Sequence, residues 1–338
     1  MYVVADSLDD LLAKVYRVVL ERGTDIAPTK GAAREISGVL LNLRAPRVRL
    51  SRTESRGILF SALGELLWML AGSKAIDFIE HYISDYRKLS DDGFTIHGAY
   101  GPRLFGRRPN NQVARVIEML KVKQDSRQAV IQIFDRTDTL EHHLDIPCTC
   151  TMQFLIRNNR LHMLTGMRSN DAWLGLPHDV FAFTMLQELV ARSLDVELGH
   201  YKHSVGSLHL YEVNAEKVIR YLDEGFQPRK PMPPIPHGDP WPAVNALLGY
   251  EKSVRGGDPS AADPRESMEP YWADIATLLA IHAAFKTPNN QNEVKRLKRR
   301  LNNDVYSMYI NKRSGATLST KEQLSIFDSK IDGTKGSP

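Results

Sequence analysis

Two apolar stretches separated by a pair of asparagines constrain the possible folds of this 338-residue chain more than any other feature. Residues 151–157 and 161–167 are rich in the β-branched, aromatic and aliphatic side chains that favour strands, and the Asn158-Asn159 pair between them is a turn signal. We therefore predict a β-hairpin at this position. Further strands are predicted over 129–134 and 203–213.

Helical patterns surround these strands. Apolar side chains recur near helical spacing through the first twenty residues, and residues 57–71 are apolar at nearly every turn, with Glu65 as the one acid. The second pattern predicts a buried helix that carries a carboxyl group. Residues 24–34 are polar, contain Pro28 and Gly31, and predict a loop. Helices are also predicted over 112–123, 180–194, 270–286 and 291–311.

Composition excludes several classes of protein. The 44 Lys and Arg residues exceed the 40 Asp and Glu residues by four, and 42% of residues are hydrophobic, which is enough apolar material for a packed core. No concentrated basic stripe predicts nucleic-acid binding, and no apolar run approaches the roughly 18 residues that a membrane helix requires. Cys148 and Cys150 alone cannot form a disulfide framework or a four-ligand zinc site. We expect a cytoplasmic globular protein with no membrane segment and no metal.

A proline-rich segment divides the chain. Residues 227–242 contain seven prolines, so no regular element can cross them. We predict a first, catalytic domain over 1–226 and, over 227–338, a proline-rich connection followed by a mainly helical extension whose role the sequence does not define. The basic stretch Lys295–Arg300 in this extension predicts a solvated helix face rather than a nucleic-acid contact.

The candidate chemistry lies around two polar segments of the first domain. Cys148 follows a proline, and either an inert core thiol or a nucleophile fits that position. The segment RSNDAWLGLPHD places Arg168 and Ser169 on a tight polar turn and leads into an apolar helix. Its acids are expected to face a cavity, although Asp179 could instead only cap the helix. Positive charge close to Cys148 would favour the reactive thiolate.

Five segments of the chain resemble a known family. In chain order they are GELLWML, DSRQAV, PCTCTMQF, RSNDAWLGLPHDV and SLHLY. Together they resemble the thymidylate synthase superfamily over roughly residues 15–225, and within it the (deoxy)cytidylate 5-hydroxymethylase branch is most similar. The resemblance implies an α/β fold in which a large mixed sheet packs against helices, and a homodimer formed through the face of that sheet. It also implies 5,10-methylenetetrahydrofolate as co-substrate and a nucleoside monophosphate as substrate.

The resemblance assigns roles to individual residues. Cys148 corresponds to the nucleophile that adds to C6 of a pyrimidine, and Glu65 to the general acid and base. Arg168 and Ser169 correspond to phosphate ligands, and Arg127 to an arginine contributed across the dimer. The remaining correspondences are Tyr100 in the active site, Asp171 near the pterin ring of the folate, and His209 and Tyr211 at the sugar hydroxyl, while Lys30 is the nearest candidate for a further phosphate ligand.

Asp179 is the position that decides which base is bound. Synthases that act on deoxyuridylate have asparagine there, whose amide donates to O4 of uracil and accepts from N3–H. A carboxylate cannot donate to O4, whereas it accepts from the N4 amino group of cytosine, and one misplaced buried hydrogen bond costs roughly 1–3 kcal/mol. The cytidylate hydroxymethylases of the superfamily have aspartate at this position, so we predict CMP or dCMP as substrate. The alternative is a drifted synthase in which Asp179 is protonated.

The product is inferred from departures from the synthase pattern. Residues 81–93, which follow the Glu65 helix, contain Tyr86 but no tryptophan, and a synthase-like C-terminal tail is not recognisable. A wetter site favours addition of water, and therefore a 5-hydroxymethyl product, over methylation. The alternatives are C5-methylation of dCMP or dUMP, and a catalytically idle homologue that binds nucleotides or RNA. The His142-His143 pair predicts a solvated turn rather than a metal site.

Overall fold

A seven-stranded mixed sheet is the central element of the fold. The computed structural model describes residues 1–28, 30–106, 109–258 and 263–315. The strands of the sheet are β1 (Tyr2–Ala5), β2 (Thr24–Ile26), β3 (Ala33–Leu43), β4 (Val130–Gln132), β5 (Thr149–Arg157), β6 (Arg160–Asp171) and β7 (Glu197–Tyr211). They pair in the order β1-β3-β7-β6-β5-β4, and β2 pairs with β3 outside this path. The β1–β3 and β6–β7 pairs are parallel and the others are antiparallel, which confirms the predicted large mixed sheet.

The predicted hairpin is β5 and β6. Asn158 and Asn159 have φ angles of 50° and 56°, the left-handed values that a two-residue turn of this type requires and that asparagine tolerates. Strand β6 continues beyond the predicted end at 167, through Asp171. Arg168 and Ser169 therefore lie in a strand, and the prediction of a tight turn at these two residues is wrong, because β6 keeps pairing with β7 as far as Asp171.

Eight helices accompany the sheet in the described residues up to 258. They are α1 (Leu8–Arg22), α2 (Leu59–Leu70), α3 (Ile76–Glu80), α4 (Tyr100–Leu104), α5 (Gln112–Val122), α6 (Gly175–Ser193), α7 (Ala215–Asp223) and α8 (Trp241–Arg255). Helices α2 and α6 pack against each other, and α6 also packs on β6 and β7, so both are apolar on most sides. This packing brings Glu65 of α2 and Asp179 of α6 to the same region.

The first forty residues differ from the sequence prediction. The chain opens with β1, which pairs with β3, and the helix begins only at Leu8, where the Ser7 side chain accepts a hydrogen bond from the Asp10 amide. Residues 24–34 are not simply a loop, because β2 and the start of β3 lie within them. These strands are held by pairing with residues far along the chain, which local pattern does not report.

By their contacts, the residues divide into Met1–Asp263 and Pro264–Pro338 rather than at the predicted 226–227. The proline-rich segment belongs to the first unit because its backbone is anchored there. The Met232 amide donates to the Arg47 carbonyl across 2.8 Å, and Arg192 donates from Nε to the Ile235 carbonyl at the same distance. The predicted functional division, a catalytic domain followed by an extension, stays a prediction.

The second unit is helical over its described part. It contains α9 (Pro270–Lys286), α10 (Gln291–Lys298) and a helical stretch over 307–315. The single helix predicted over 291–311 is interrupted, because the Asp274 carboxyl group accepts hydrogen bonds from the Asn302 and Asn303 amides and turns the chain. Among the helices of the described ranges, none has the length and apolarity needed to cross a bilayer.

Candidate active site

Cys148 lies immediately before β5, where Arg168 of β6 fixes the backbone around it. The Arg168 amide donates to the Cys148 carbonyl across 2.9 Å. The guanidinium donates from Nε to the Pro147 carbonyl at 3.0 Å and from Nη2 to the Ile146 carbonyl at 2.9 Å. The same Nη2 lies 3.8 Å from Sγ of Cys148. One arginine therefore holds three consecutive residues and places positive charge beside the thiol.

The thiol of Cys148 is nevertheless not activated in the free protein. Burial raises its pKa to about 11, and the negative charges of Asp179 and Asp145 add to that, while Arg168 and Lys30 act in the opposite direction. The cations therefore act in the expected direction and favour the thiolate, but desolvation outweighs their attraction and the net shift is upward.

The second thiol occupies a different environment. The register of β5 against β6 shifts between Thr149 and Thr151, so Cys150 lies in a β-bulge. Its carbonyl accepts the Ile133 amide at 2.9 Å and the Phe134 amide at 3.3 Å. Both cysteines are free. The bulge separates the roles of the two residues: Cys150 anchors the neighbouring segment through its backbone, and Cys148 lies beside the buried charges.

Asp179 is the fifth residue of α6 and does not cap it. Its Oδ2 accepts a hydrogen bond from Nδ2 of Asn170 across 2.7 Å. The turn before α6 is instead held by Asp171, whose Oδ1 accepts the Trp173 amide at 2.8 Å and the Leu174 amide at 2.9 Å. The capping alternative for Asp179 is thus wrong. Burial, with the charges of Glu65 and Asp171, raises the pKa of Asp179 well above its ordinary value, although the Asn170 hydrogen bond opposes this shift.

Glu65 projects from α2 and accepts a hydrogen bond from the Tyr86 hydroxyl. Burial raises the pKa of Glu65, the Tyr86 hydrogen bond lowers it, and the charge of Asp145 raises it. The Tyr86 ring packs edge-on against Trp68 with 5.5 Å between ring centroids. Tyr86 therefore covers the carboxyl group on one side, and Trp68, which lies in the helix predicted to be buried, is 4% exposed.

Tyr100 opens α4 and completes this group of residues. The Thr149 amide donates to its hydroxyl oxygen across 3.3 Å. Burial raises the pKa of Tyr100 well above its ordinary value, and the charges of Asp179 and Cys148 contribute in the same direction. Helices α2, α4 and α6 and the start of β5 thus bring together the four predicted catalytic residues, which are Cys148, Glu65, Asp179 and Tyr100.

The predicted sugar and phosphate ligands lie along β6 and β7. Ser169 is opposite Ser207, and Asp171 is opposite His209, whose carbonyl accepts the Ala172 amide at 2.7 Å. Burial raises the pKa of the Tyr211 phenol, and the charges of the nearby Asp171 and Cys148 add to this shift.

Lys30 and Arg127 are both exposed. The charge of Lys30 acts on Cys148 and Asp145, which places it at the same site. Arg127 lies in the turn before β4, where its carbonyl accepts a hydrogen bond from Gln153 at 2.9 Å. In the described part of the chain, no hydrogen bond joins the Arg127 guanidinium to the other predicted site residues.

Sequence reasoning missed Asp145 and Asn170. Burial raises the pKa of Asp145, which influences both Cys148 and Glu65. Its carboxyl group packs so closely on Gly98 that a Cβ there would overlap Oδ2, so only glycine leaves room. Asp145 precedes the nucleophile by three residues, and Asn170 lies inside the RSND motif, so proximity to motif residues was the available signal.

The surroundings of the His142-His143 pair also differ from the predicted solvated turn. His143 is not in a solvated turn: its ring stacks on His97 with 3.5 Å between centroids, and Nδ1 contacts Asp91 at 2.8 Å. Among the described residues, no group of three or more His, Cys, Asp or Glu side chains is arranged to hold a metal ion.

A thiol, two carboxyl groups and an arginine grouped beside a mixed sheet are typical of an enzyme class that uses sulfur as the nucleophile and carboxyl groups as acid and base. Comparison with known proteins makes this class specific. Residues 23–236 match the family model described as thymidylate synthase. The chain belongs to the thymidylate synthase family, whose members transfer a one-carbon unit to a pyrimidine nucleotide, and the family assignment from sequence is confirmed.

Three relatives carry the name deoxyuridylate hydroxymethyltransferase. The protein of Pseudomonas phage M6 is 31% identical over 243 residues, which cover 68% of this chain and 68% of the relative. The protein of Bacillus phage SP01 is 31% identical and that of Delftia phage PhiW-14 is 29% identical, each over 60% of this chain. The chain spans 56% and 60% of the lengths of these two relatives.

Proposed function

We propose that this protein transfers a one-carbon unit from 5,10-methylenetetrahydrofolate to C5 of a cytidylate nucleotide, CMP or dCMP, and that water completes a 5-hydroxymethyl group. The observation that carries the proposal is the setting of Asp179. This buried carboxyl group accepts a hydrogen bond from Asn170 and is near Tyr100, Cys148 and Glu65. A carboxyl group oriented as an acceptor complements the N4 amino group of cytosine.

Cys148 begins the reaction. Its sulfur forms a bond to C6 of the pyrimidine, which breaks the C5–C6 double bond and makes C5 nucleophilic. Because the pKa of the free thiol is about 11, the proton must leave as the nucleotide binds. Arg168, whose Nη2 lies 3.8 Å from Sγ, is the cation that would stabilise the thiolate as it forms.

The phosphate would be held by charge-assisted hydrogen bonds. Arg168 and Ser169, neighbours on β6, would donate two of these bonds, and exposed Lys30 would be a third donor. Arg127 is exposed and has no partner among these residues, which supports the proposal that Arg127 of the partner subunit completes the site in a homodimer. His209 and Tyr211 of β7 would bind the sugar hydroxyl.

Asp171 and Arg56 are the residues that would hold the pterin ring of the folate. Oδ2 of Asp171 has no donor among the described residues, although Oδ1 accepts two amides, and Nε of Arg56 is buried without a partner there. The Arg56 guanidinium lies 4.8 Å from the centroid of the Trp173 ring. The pterin ring of the folate offers an N–H donor for Asp171 and an acceptor for Arg56, so the residues fit. When bound, the folate supplies the one-carbon unit.

Glu65 is the residue that would carry the proton transfers at the base. Glu65 would protonate and deprotonate the C4 edge of the base through water, with Tyr86 holding its carboxyl group. Once the one-carbon unit is bonded to C5, the C5 proton would be lost to water or a carboxylate, and the folate nitrogen would leave with the electron pair of its bond to that carbon. Water oxygen then adds to the exocyclic carbon on C5, and one water proton goes to a carboxylate. Expulsion of the Cys148 thiolate from C6 restores the C5–C6 double bond, so the balance needs no oxidant or reductant. Because the Cys148 thiol must stay reduced to act as a nucleophile, we expect the protein to work in the reducing cytoplasm.

Uracil is the second candidate base, and two observations favour it. The three relatives are named for deoxyuridylate. The raised pKa of Asp179 also allows a neutral acid, which can donate to O4 and accept from N3–H as an asparagine does. The same neutral acid can donate to N3 of cytosine and accept from N4–H, so the pKa alone does not choose between the bases.

Tritium release separates these possibilities. The purified protein is incubated with methylenetetrahydrofolate and 5-tritiated CMP, dCMP or dUMP, and the product is identified by mass. We expect release from a cytosine nucleotide, a hydroxymethyl product and no dihydrofolate. Release only from dUMP would overturn the base assignment, dihydrofolate would indicate methylation, and no release from any nucleotide would indicate a binding protein. Cys148→Ala should lower release at least roughly a thousandfold, whereas Cys150→Ala should remain active.

A further inference from the structure

A chain of hydrogen bonds runs from the core of the sheet to Asp179. The Tyr201 hydroxyl lies 2.7 Å from Nδ1 of His203, both on β7. Nε2 of His203 lies 3.1 Å from Oδ1 of Asn170 on β6, and Nδ2 of Asn170 donates to Oδ2 of Asp179 across 2.7 Å. Tyr201, His203 and Asn170 are 1%, 0% and 3% exposed, so no water competes for these groups.

The orientation of the Asn170 amide, which donates to Asp179, sets the direction of every bond in this chain, and burial keeps the His203 ring neutral. Burial lowers the pKa of His203 to about 3, so the imidazole is neutral near pH 7 and carries one N–H. Because the Asn170 amide group donates to Asp179, its oxygen must accept, and the His203 proton therefore lies on Nε2. Nδ1 is then an acceptor for the Tyr201 hydroxyl. With Asp179 ionised and His203 in this tautomer, rotating the Asn170 amide would place its oxygen against the carboxylate and its N–H against the His203 N–H, and both hydrogen bonds would be lost.

The hydrogen bond from Asn170 opposes the other influences on the pKa of Asp179. Burial and the charges of Glu65 and Asp171 favour the neutral acid, whereas the Asn170 hydrogen bond favours the ionised form. A neutral Asp179 can pair with either base, as argued above. An ionised Asp179 accepts from cytosine N4–H and repels uracil O4. The groups whose charge or polarity acts on Asp179 or responds to it are Glu65, Tyr100, Cys148, Asn170, Asp171 and Tyr201.

We propose that Tyr201 and His203 are positioning residues for base selection. By locking Asn170 as a donor, they hold Asp179 as a hydrogen-bond acceptor and so favour cytosine over uracil, although neither residue reaches the base. This inference rests on the proposed function for the identity of the base. It extends that function because it assigns selection to a buried relay rather than to Asp179 alone.

The relay is tested with Tyr201→Phe and His203→Phe, which remove a donor with little change in volume. The measured quantity is kcat/KM for dCMP divided by kcat/KM for dUMP. Both variants should lower this ratio by about tenfold and shift the kinetic pKa of Asp179 upward. Tyr16→Phe is the matched control, because Tyr16 is equally buried and its hydroxyl has no partner among the described residues. The control should leave the ratio unchanged.

The outcomes distinguish the relay from the proposed function. A wild-type ratio that favours uracil overturns the cytosine assignment, whereas an unchanged ratio in both relay variants overturns the relay. If a variant fails to fold, nitrogen-15 NMR of the intact wild-type protein tests the relay instead, because it shows which nitrogen of the His203 ring carries the proton. We expect protonated Nε2 and bare Nδ1 between pH 5 and 8, and the opposite tautomer or a charged ring would overturn the inference.

Discussion

Nη2 of Arg168 lies 3.8 Å from Sγ of Cys148 and at the same time donates to the Ile146 carbonyl. The guanidinium is therefore divided between holding the backbone and facing the thiol. Burial still raises the pKa of that thiol to about 11. The free protein thus protects its nucleophile, and substrate binding must supply the activation.

Replacing Asp145 by asparagine should make Cys148 more reactive in the absence of substrate. The charge of Asp145 raises the pKa of the thiol, so its removal lowers that pKa and increases the thiolate fraction at pH 8. We expect iodoacetamide to modify Cys148 about two- to fivefold faster, measured by peptide mass spectrometry. The matched control is Asp85→Asn, whose side chain is 77% exposed and pairs with Lys88. A slower or unchanged rate in Asp145→Asn would show that Asp145 does not act on the thiol.

Replacing Tyr86 by phenylalanine should shift the pH dependence of turnover. The Tyr86 hydroxyl donates to Glu65 and lowers a pKa that burial has raised, so its loss raises the pKa of Glu65 further. The limb of the kcat profile that Glu65 governs should move to higher pH, measured by tritium release at saturating nucleotide. Tyr82→Phe is the control, because its hydroxyl donates to Glu251 instead. A shift to lower pH would contradict the role of this hydrogen bond.

The hairpin of β5 and β6 could be predicted because its strands are apolar and its turn residues are local signals. Strand β3 could not, because its pairing with β7 joins residues such as Glu35 and His209 that are far apart in sequence. The interruption after α10 was missed for the same reason: Asp274 lies on another helix.

For the site, the motifs identified the residues but not their protonation. The RSND motif contains Asn170, but the hydrogen bond between Asn170 and His203 forms only because β6 and β7 pair in parallel. Burial likewise decides the pKa of Cys148, and burial depends on how α2, α4 and α6 pack around the strand entrance. The sequence therefore indicated the effect of the neighbouring cations on the thiol pKa, but not the larger opposing effect of burial.

Subunit mixing tests whether Arg127 acts across a dimer. Arg127→Ala and Cys148→Ala should each be nearly inactive as homodimers. A heterodimer of the two contains one site with intact Cys148 and with Arg127 of the partner subunit. After unfolding and refolding an equal mixture, we expect about a quarter of wild-type activity, because half of the dimers carry one complete site of two. If activity does not return on mixing although the refolded proteins are dimeric, Arg127 serves its own subunit or neither site.

Base preference in Asp179→Asn is the most direct measurement of the central claim, that one carboxyl group reads the amino edge of the base. The ratio of kcat/KM for dCMP to that for dUMP is compared between this variant and the wild-type protein. The account predicts a wild-type ratio above one and a shift toward dUMP of about tenfold or more, since the amide can donate to O4. An unchanged ratio in Asp179→Asn would contradict it.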